Sequence, residues 1–235
     1  MVPIYFLIPT RNRPGKLRLA VDSFTRLASR PERVKGLLFV DDDDTTDYSA
    51  YPHVRRGPRW GYHGLHCMLN VLAAWAKEMD GGGPPGWHVL WNDDLTMLTQ
   101  GWDDKLVAYG GSPKVVFMRR DCTAAIDTAY PAWPRSFFDL IGRVGTDSAC
   151  DTWLAMLTGA ADRLIGRTAT HVHALDICVR HDRDENDRST PESPAPLPHP
   201  GDFGIERDAF KLASAHDAPP FSPPFGEHEG TPIVR

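Results

Sequence analysis

Apolar positions along this chain fall into two kinds of run. Short unbroken runs rich in β-branched and aromatic residues read as strands buried on both faces. Residues 2–8 (VPIYFLI), 36–40, 88–91, 114–118 and 168–172 are of this kind. Stripes at three- and four-residue spacing read as amphipathic helices. Leu17, Ala20, Val21, Phe24 and Leu27 form one; Leu65, Met68, Leu69, Leu72, Ala73 and Ala76 form another. Trp102, Leu106 and Val107 suggest a short helix, and residues 153–157 a further one. Strands alternating with helices predict an α/β domain with a mostly parallel central sheet flanked by helices.

Polar residues cluster where three of these strands end. Thr10, Arg11, Asn12 and Arg13 follow the first, Asp41 to Asp44 the second, and Asn92, Asp93 and Asp94 the third. In open α/β sheets the ligand crevice lies beyond the carboxyl ends of the strands. A carboxylate beside a buried strand is costly unless a cation pairs it. Hard oxygen ligands there suit Mn²⁺ or Mg²⁺, either of which can hold a diphosphate. Side chains alternate along an extended backbone, so Asp41 and Asp43 share one side, as do His171 and His173 later in the chain.

Composition narrows the classes. The net charge of −5 gives no global basic field for nucleic acid, although a local groove is compatible with it. No apolar run reaches the length of a membrane span, and the first residues do not read as a secretory signal, so a cytoplasmic protein is expected. Cys67, Cys122, Cys150 and Cys178 are far apart with no C-x-x-C pair; reduced thiols are the expectation. Beyond about residue 180 the chain turns charged and then proline-rich, with a helical patch near residues 203–213. That part, residues 181–235, cannot build its own core. It is expected to be an extension that wraps the domain, contacts a second subunit in a homo-oligomer, or is partly disordered.

The segment Ile8-Pro9-Thr10-Arg11-Asn12-Arg13-Pro14 resembles the opening of family-2-type glycosyltransferases with the GT-A (Rossmann-like) fold. Phe39-Val40-Asp41-Asp42-Asp43 is similar to their second strand. Asn92-Asp93-Asp94 with Gly101-Trp102 resembles their metal-binding DXD segment and the Gly-Trp that follows it. The resemblance covers about residues 2–180. It implies a nucleotide-sugar pocket lined by Pro9, Thr10, Arg11, Arg13, Asp41, Asp43 and Asp93. Arg11 and Arg13 would stand near the base or diphosphate. It implies metal ligation by Asp94 and Asn92, completed by a late histidine drawn from His171, His173 or His181. Asp151 resembles the general base that opens a late helix, with Asp147 four residues before it. The chain departs from the family at Asp43-Asp44-Thr45-Thr46-Asp47, where a glycine and a serine are common, and at Asn92, which offers a neutral carbonyl oxygen instead of a carboxylate. Two aromatic segments, Trp60-Gly61-Tyr62-His63-Gly64 and Tyr130-Pro131-Ala132-Trp133-Pro134, are candidates for bordering the sugar and shaping an acceptor pocket.

The expected activity is sugar transfer from a nucleotide-diphospho-sugar, with a UDP-sugar favoured, to a hydroxyl of a saccharide or of a modified nucleobase in phage-type DNA. A nucleotidyltransferase acting on a sugar phosphate, and a non-catalytic nucleotide- or sugar-binding module, are the rival classes.

Overall fold

The structure is a computed structural model that describes residues 1–81, 83–122, 129–146, 149–182 and 204–216. Among these, eight strands form one sheet: β1 (Ile4–Thr10), β2 (Val34–Asp41), β3 (Val54–Gly57), β4 (Trp87–Leu90), β5 (Leu95–Met97), β6 (Val115–Arg120), β7 (Pro131–Pro134) and β8 (His171–His181). Their order is β3-β2-β1-β4-β7-β6-β8-β5. Four neighbour pairings are parallel and three antiparallel, the latter all involving β7 or β5. Six helices flank the sheet: α1 (Pro14–Leu27), α2 (Leu65–Met79), α3 (Trp102–Ala108), α4 (Arg135–Ile141), α5 (Cys150–Ile165) and α6 (Ile205–Ser214).

Alternation along β1 sorts the two layers. Tyr5 and Leu7 pack with α2, α4, α5 and α6, whereas Ile4, Phe6 and Ile8 pack with α1 and α3. A strand buried on both faces and flanked by parallel neighbours needs apolar residues at every position, which IYFLI supplies. The Gly-Trp pair does structural work. Gly101 takes the left-handed conformation (φ 67°) that opens α3, and Trp102, fully buried, donates its indole N–H to Phe24 O at 2.9 Å. This locks α3 onto α1.

Three strands and one helix were not foreseen. β3 is a polar strand at the sheet's edge and β5 has only three residues, so neither shows a readable period. The Tyr130–Pro134 segment, expected at an acceptor pocket, is instead the central strand β7, with Trp133 fully buried. Proline usually confines a strand to an edge. Here the two prolines stand at the ends of a four-residue strand, where their missing N–H groups interrupt little. α4 follows directly from it. β8 extends well past the expected residue 172, because a register shift opposite Met118 and Arg119 breaks its alternation.

Two further findings bear on the expectations. Cys122 and Cys178 pair as a disulfide between the end of β6 and β8, correcting the expectation of four reduced thiols; their spacing in sequence hid their proximity. α6, within the C-terminal extension, buries Ile205, Ala209, Leu212 and Ala213 in the same core layer as α4 and α5. No helix among the described residues is long and apolar enough to cross a membrane.

Candidate functional site

Because β6 and β8 run parallel to β1, β2 and β4, the ends of these strands share one edge. The β1–α1 turn opens it. Asn12 adopts a left-handed conformation (φ 53°), which asparagine tolerates better than most residues. Its N–H donates to Asp44 Oδ2 at 2.9 Å. This turn sends its two flanking arginines to different carboxylates.

Arg11 bridges Asp41 (2.8 Å) and Asp43, and Arg59 reaches Asp43 from beyond β3 at 3.4 Å. Arg13 donates to Asp93 Oδ1 at 2.9 Å and stands 4.0 Å from Asp94 Oδ2. The Thr10 hydroxyl donates to the other Asp93 oxygen at 2.7 Å. His181, at the end of β8, places Nε2 at 3.2 Å from Asp94 Oδ2. The arginines therefore neutralise a crowd of carboxylates at one sheet edge, a role the sequence reading had not given them. Pro9 lies within β1 opposite Phe39 of β2.

Burial splits the adjacent acids. It pushes the Asp93 carboxyl up, against the opposing pull of Thr10 and Arg13. It also acts to raise Asp94, but there the hydrogen bond and charge of His181, with Arg13, win and hold the carboxyl below its usual value. One oxygen each of Asp94 (Oδ1) and Asp41 (Oδ1) is buried with no hydrogen-bond partner. A buried anionic oxygen left unpaired costs on the order of 1–3 kcal/mol or more, so these two atoms mark where a ligand belongs.

The histidine beside Asp94 is His181, not either member of the H-x-H pair. His171 and His173 begin β8 at the opposite edge of the sheet, ten and eight residues before His181. His171 Nδ1 lies 2.8 Å from Thr158 Oγ1 of α5, and its ring stacks on Phe117 at 4.5 Å. These two candidates are thus corrected as partners of Asp94: they share a face with each other but sit at the wrong strand end. Asn92 opens the turn after β4, and its backbone carbonyl accepts the Leu95 N–H at 3.2 Å. Asp151 lies in the first turn of α5. Its Oδ1 accepts the N–H of Thr152 at 2.8 Å. Asp147 lies outside the described residues. Trp60 follows the end of β3 and stacks on Phe39 at 5.2 Å, partly exposed.

Could the edge hold a divalent cation? Among the described residues no group of three or more His, Cys, Asp or Glu side chains converges as a ready-made metal site. Asp94 and His181 nevertheless supply a carboxylate with a free buried oxygen and an imidazole. That donor pair fits an ion that takes its remaining ligands from phosphate and water.

The arrangement has counterparts of known structure. Residues 1–349 of TarS from S. aureus, in complex with UDP-GlcNAc, superpose with a TM-score of 0.57 at 9% identity, over 83% of this chain and 62% of that one. The same region with UDP gives 0.55 at 9% identity, over 76% and 60%. The mannosyltransferase PcManGT from Pyrobaculum calidifontis, in complex with GDP-Man and Mn²⁺, gives 0.51 at 12% identity, over 92% and 70%. The chain has the GT-A fold. It spans about six-tenths of the length of the TarS structures it matches. No family model and no curated protein sequence matches it.

Proposed function

We propose that this GT-A protein is a metal-dependent glycosyltransferase that moves a sugar from a nucleotide-diphospho-sugar to an acceptor hydroxyl. The observation that carries the reading is the pair of buried, unpartnered carboxylate oxygens, on Asp41 and Asp94, at the carboxyl edge of this sheet. The nucleotide complexes of TarS and of the mannosyltransferase support a uridine or guanosine diphosphate donor.

Each residue has a role its surroundings suit. Asp41 Oδ1 accepts a hydrogen bond from the base or ribose, while Arg11 holds the carboxylate in place through its other oxygen. Asp94 and His181 would hold a divalent ion, Mn²⁺ or Mg²⁺, which neutralises charge on the departing diphosphate. Asp93, tied by Thr10 and Arg13, braces the turn that presents Asp94. Asp151 takes the proton of the acceptor hydroxyl as that oxygen bonds to the anomeric carbon. The bond from this carbon to the diphosphate oxygen breaks in the same displacement, and its electron pair leaves with the diphosphate. General-base assistance of this kind is worth roughly 10²–10⁴ in rate.

The test is a thermal-shift screen of UDP- and GDP-sugars with and without Mn²⁺, because a ligand of the native state raises the melting point by mass action. A Mn²⁺-dependent shift for one donor, lost in Asp94→Ala, is expected. Asp151→Asn should keep that shift while turnover of the same donor falls by about 10²-fold or more. Silence across the panel, or pyrophosphate released from a nucleoside triphosphate and a sugar phosphate, would overturn the proposal.

A further inference from the structure

Residues 142–145, which follow α4, are tied to α2, α5 and α6. Gly142 ends α4 in the left-handed conformation (φ 80°). Val144 N–H donates to Asn70 Oδ1 of α2 at 2.8 Å. Gly145 has φ 149°, and a Cβ there would come within 2.7 Å of Cys150 Sγ, so the backbone lies directly against the start of α5. The remaining hold comes from the C-terminal extension. Arg143 donates to Asp208 Oδ2 of α6 at 2.6 Å, and its guanidinium lies 5.5 Å from the ring centre of Trp153, two residues beyond Asp151.

Asp208 is wholly buried although it belongs to a helix with an exposed face. Its other oxygen meets Arg207 at 3.3 Å and Lys211 at 3.7 Å, both on its own helix and largely in solvent. The short bond to Arg143 is the one that crosses between elements. A buried carboxylate that loses its main cation is strongly destabilised, so this contact fixes the geometry on both sides of it. The guanidinium thus meets a carboxylate and lies near an indole ring, two contacts that a delocalised planar cation suits.

We infer that Asp208 is a positioning residue for Asp151: through Arg143 and Trp153 it sets the first turn of α5 against the ligand edge. The inference rests on the reading of Asp151 as the general base. It makes α6 a working part of the catalytic unit, although the sequence placed that helix in a separate extension.

The test uses the full-length chain carrying Asp208→Asn, which keeps the side-chain volume, and Asp208→Glu, which restores the charge. Hydrogen exchange measured by mass spectrometry needs no substrate. In Asp208→Asn, amides of residues 143–155 should exchange about 10-fold faster or more while those of residues 92–97 stay as they were. For UDP-GlcNAc or GDP-mannose with Mn²⁺, whichever the wild type hydrolyses, kcat should fall by about 10- to 100-fold with KM unchanged. The limb of the pH–rate profile that reports the base should move, and Asp208→Glu should recover part of the rate. Should Asp208→Asn fail to fold, Arg143→Lys carries the same predictions with smaller changes. Exchange that rises evenly across the chain, or a lowered Tm with kcat untouched, would make Asp208 a stabilising residue only and overturn the inference. If Asp151→Asn hydrolyses the donor at the wild-type rate while Asp208→Asn still loosens residues 143–155, the assignment of the base has failed and the latch has not.

Discussion

The two edges of the sheet both carry polar clusters, yet they differ in how those groups are met. At the amino edge Asp80 accepts from the Tyr5 hydroxyl (2.8 Å), from Gly86 N–H (3.2 Å) and from Arg135 (3.1 Å). Asp162 accepts from the backbone N–H groups of Ala169, Thr170 and His171 and from the Thr170 hydroxyl. The unpartnered side-chain nitrogens near that edge include both of His88 and Nε1 of Trp133, its partner in β7. Burial holds this imidazole neutral, with its pKa down at about 3. At the carboxyl edge the unpartnered atoms include one oxygen each of the Asp41 and Asp94 carboxylates, beside Nε1 of Trp91 and Nε of Arg119. A neutral orphan nitrogen is tolerable inside a core; an anionic orphan oxygen calls for a proton or a cation. The chemistry of the unmet group, more than the number of polar residues, tells the ligand edge from the structural one.

The largest expected effect sets the two edges directly against each other. Asp94→Ala should weaken Mn²⁺-dependent donor binding by about 100-fold or more, the upper end of what loss of support around a metal costs. His171→Ala combined with His173→Ala should change it by less than about twofold, within the range of an indirect effect. Calorimetric titration of the donor in saturating Mn²⁺ measures both. The reverse ranking would place the metal at the other edge and undo the comparison.

His181→Ala is expected to act through the same centre but less strongly, at about 10-fold in metal affinity. Titration of Mn²⁺ near neutral pH, where a ligating imidazole is uncharged, measures the loss. An affinity equal to that of the wild type would remove His181 from the centre.

This pair of residues also shows how far the sequence could be read. The strand-end clusters around Arg11, Asp41 and Asp94 were visible because parallel strands carry continuous apolar runs that stop abruptly. The partner of Asp94 was not. The sequence reading gave a strand over residues 168–172 and lost it short of the bulge, where Leu175 turns outward and is more than half exposed. An H-x-H pair at the start of the strand therefore looked like a strand-end site when it lay at the far edge. β7 was hidden by its prolines and β3 by its polarity, since both take their places from neighbouring strands and not from any pattern of their own. α6 was visible as a helix, but nothing in its sequence told that Asp208 would reach Arg143.

At the amino edge, Tyr5→Phe removes one of three donors to a buried carboxylate. It should cost about 1 kcal/mol of stability and leave donor binding unchanged. Chemical denaturation of the two proteins, followed by donor titration, separates the two outcomes. A loss of donor affinity there would mean that the edges are coupled through β1.

The finest test concerns Asp44, which sits at the carboxyl edge but is satisfied like an amino-edge acid. Its oxygens accept from Asn12 N–H (2.9 Å), Thr46 N–H (2.8 Å) and the Tyr48 hydroxyl (2.9 Å). Burial would raise this carboxyl, but those hydrogen bonds bring it down to about 2 from its ordinary 3.8. A carboxyl lowered on folding adds stability above its unfolded value, and that stability is lost as pH falls through the folded one. Asp44→Asn should therefore lower stability at pH 7 by about 1–2 kcal/mol, and the gap to wild type should close between about pH 4 and pH 2. Donor affinity should fall only as far as the β1–α1 turn loosens. If Asp44→Asn instead abolished donor binding while melting like the wild type, position at the edge would outweigh hydrogen-bond satisfaction, and the unpartnered oxygens of Asp41 and Asp94 would lose their standing as the mark of the site.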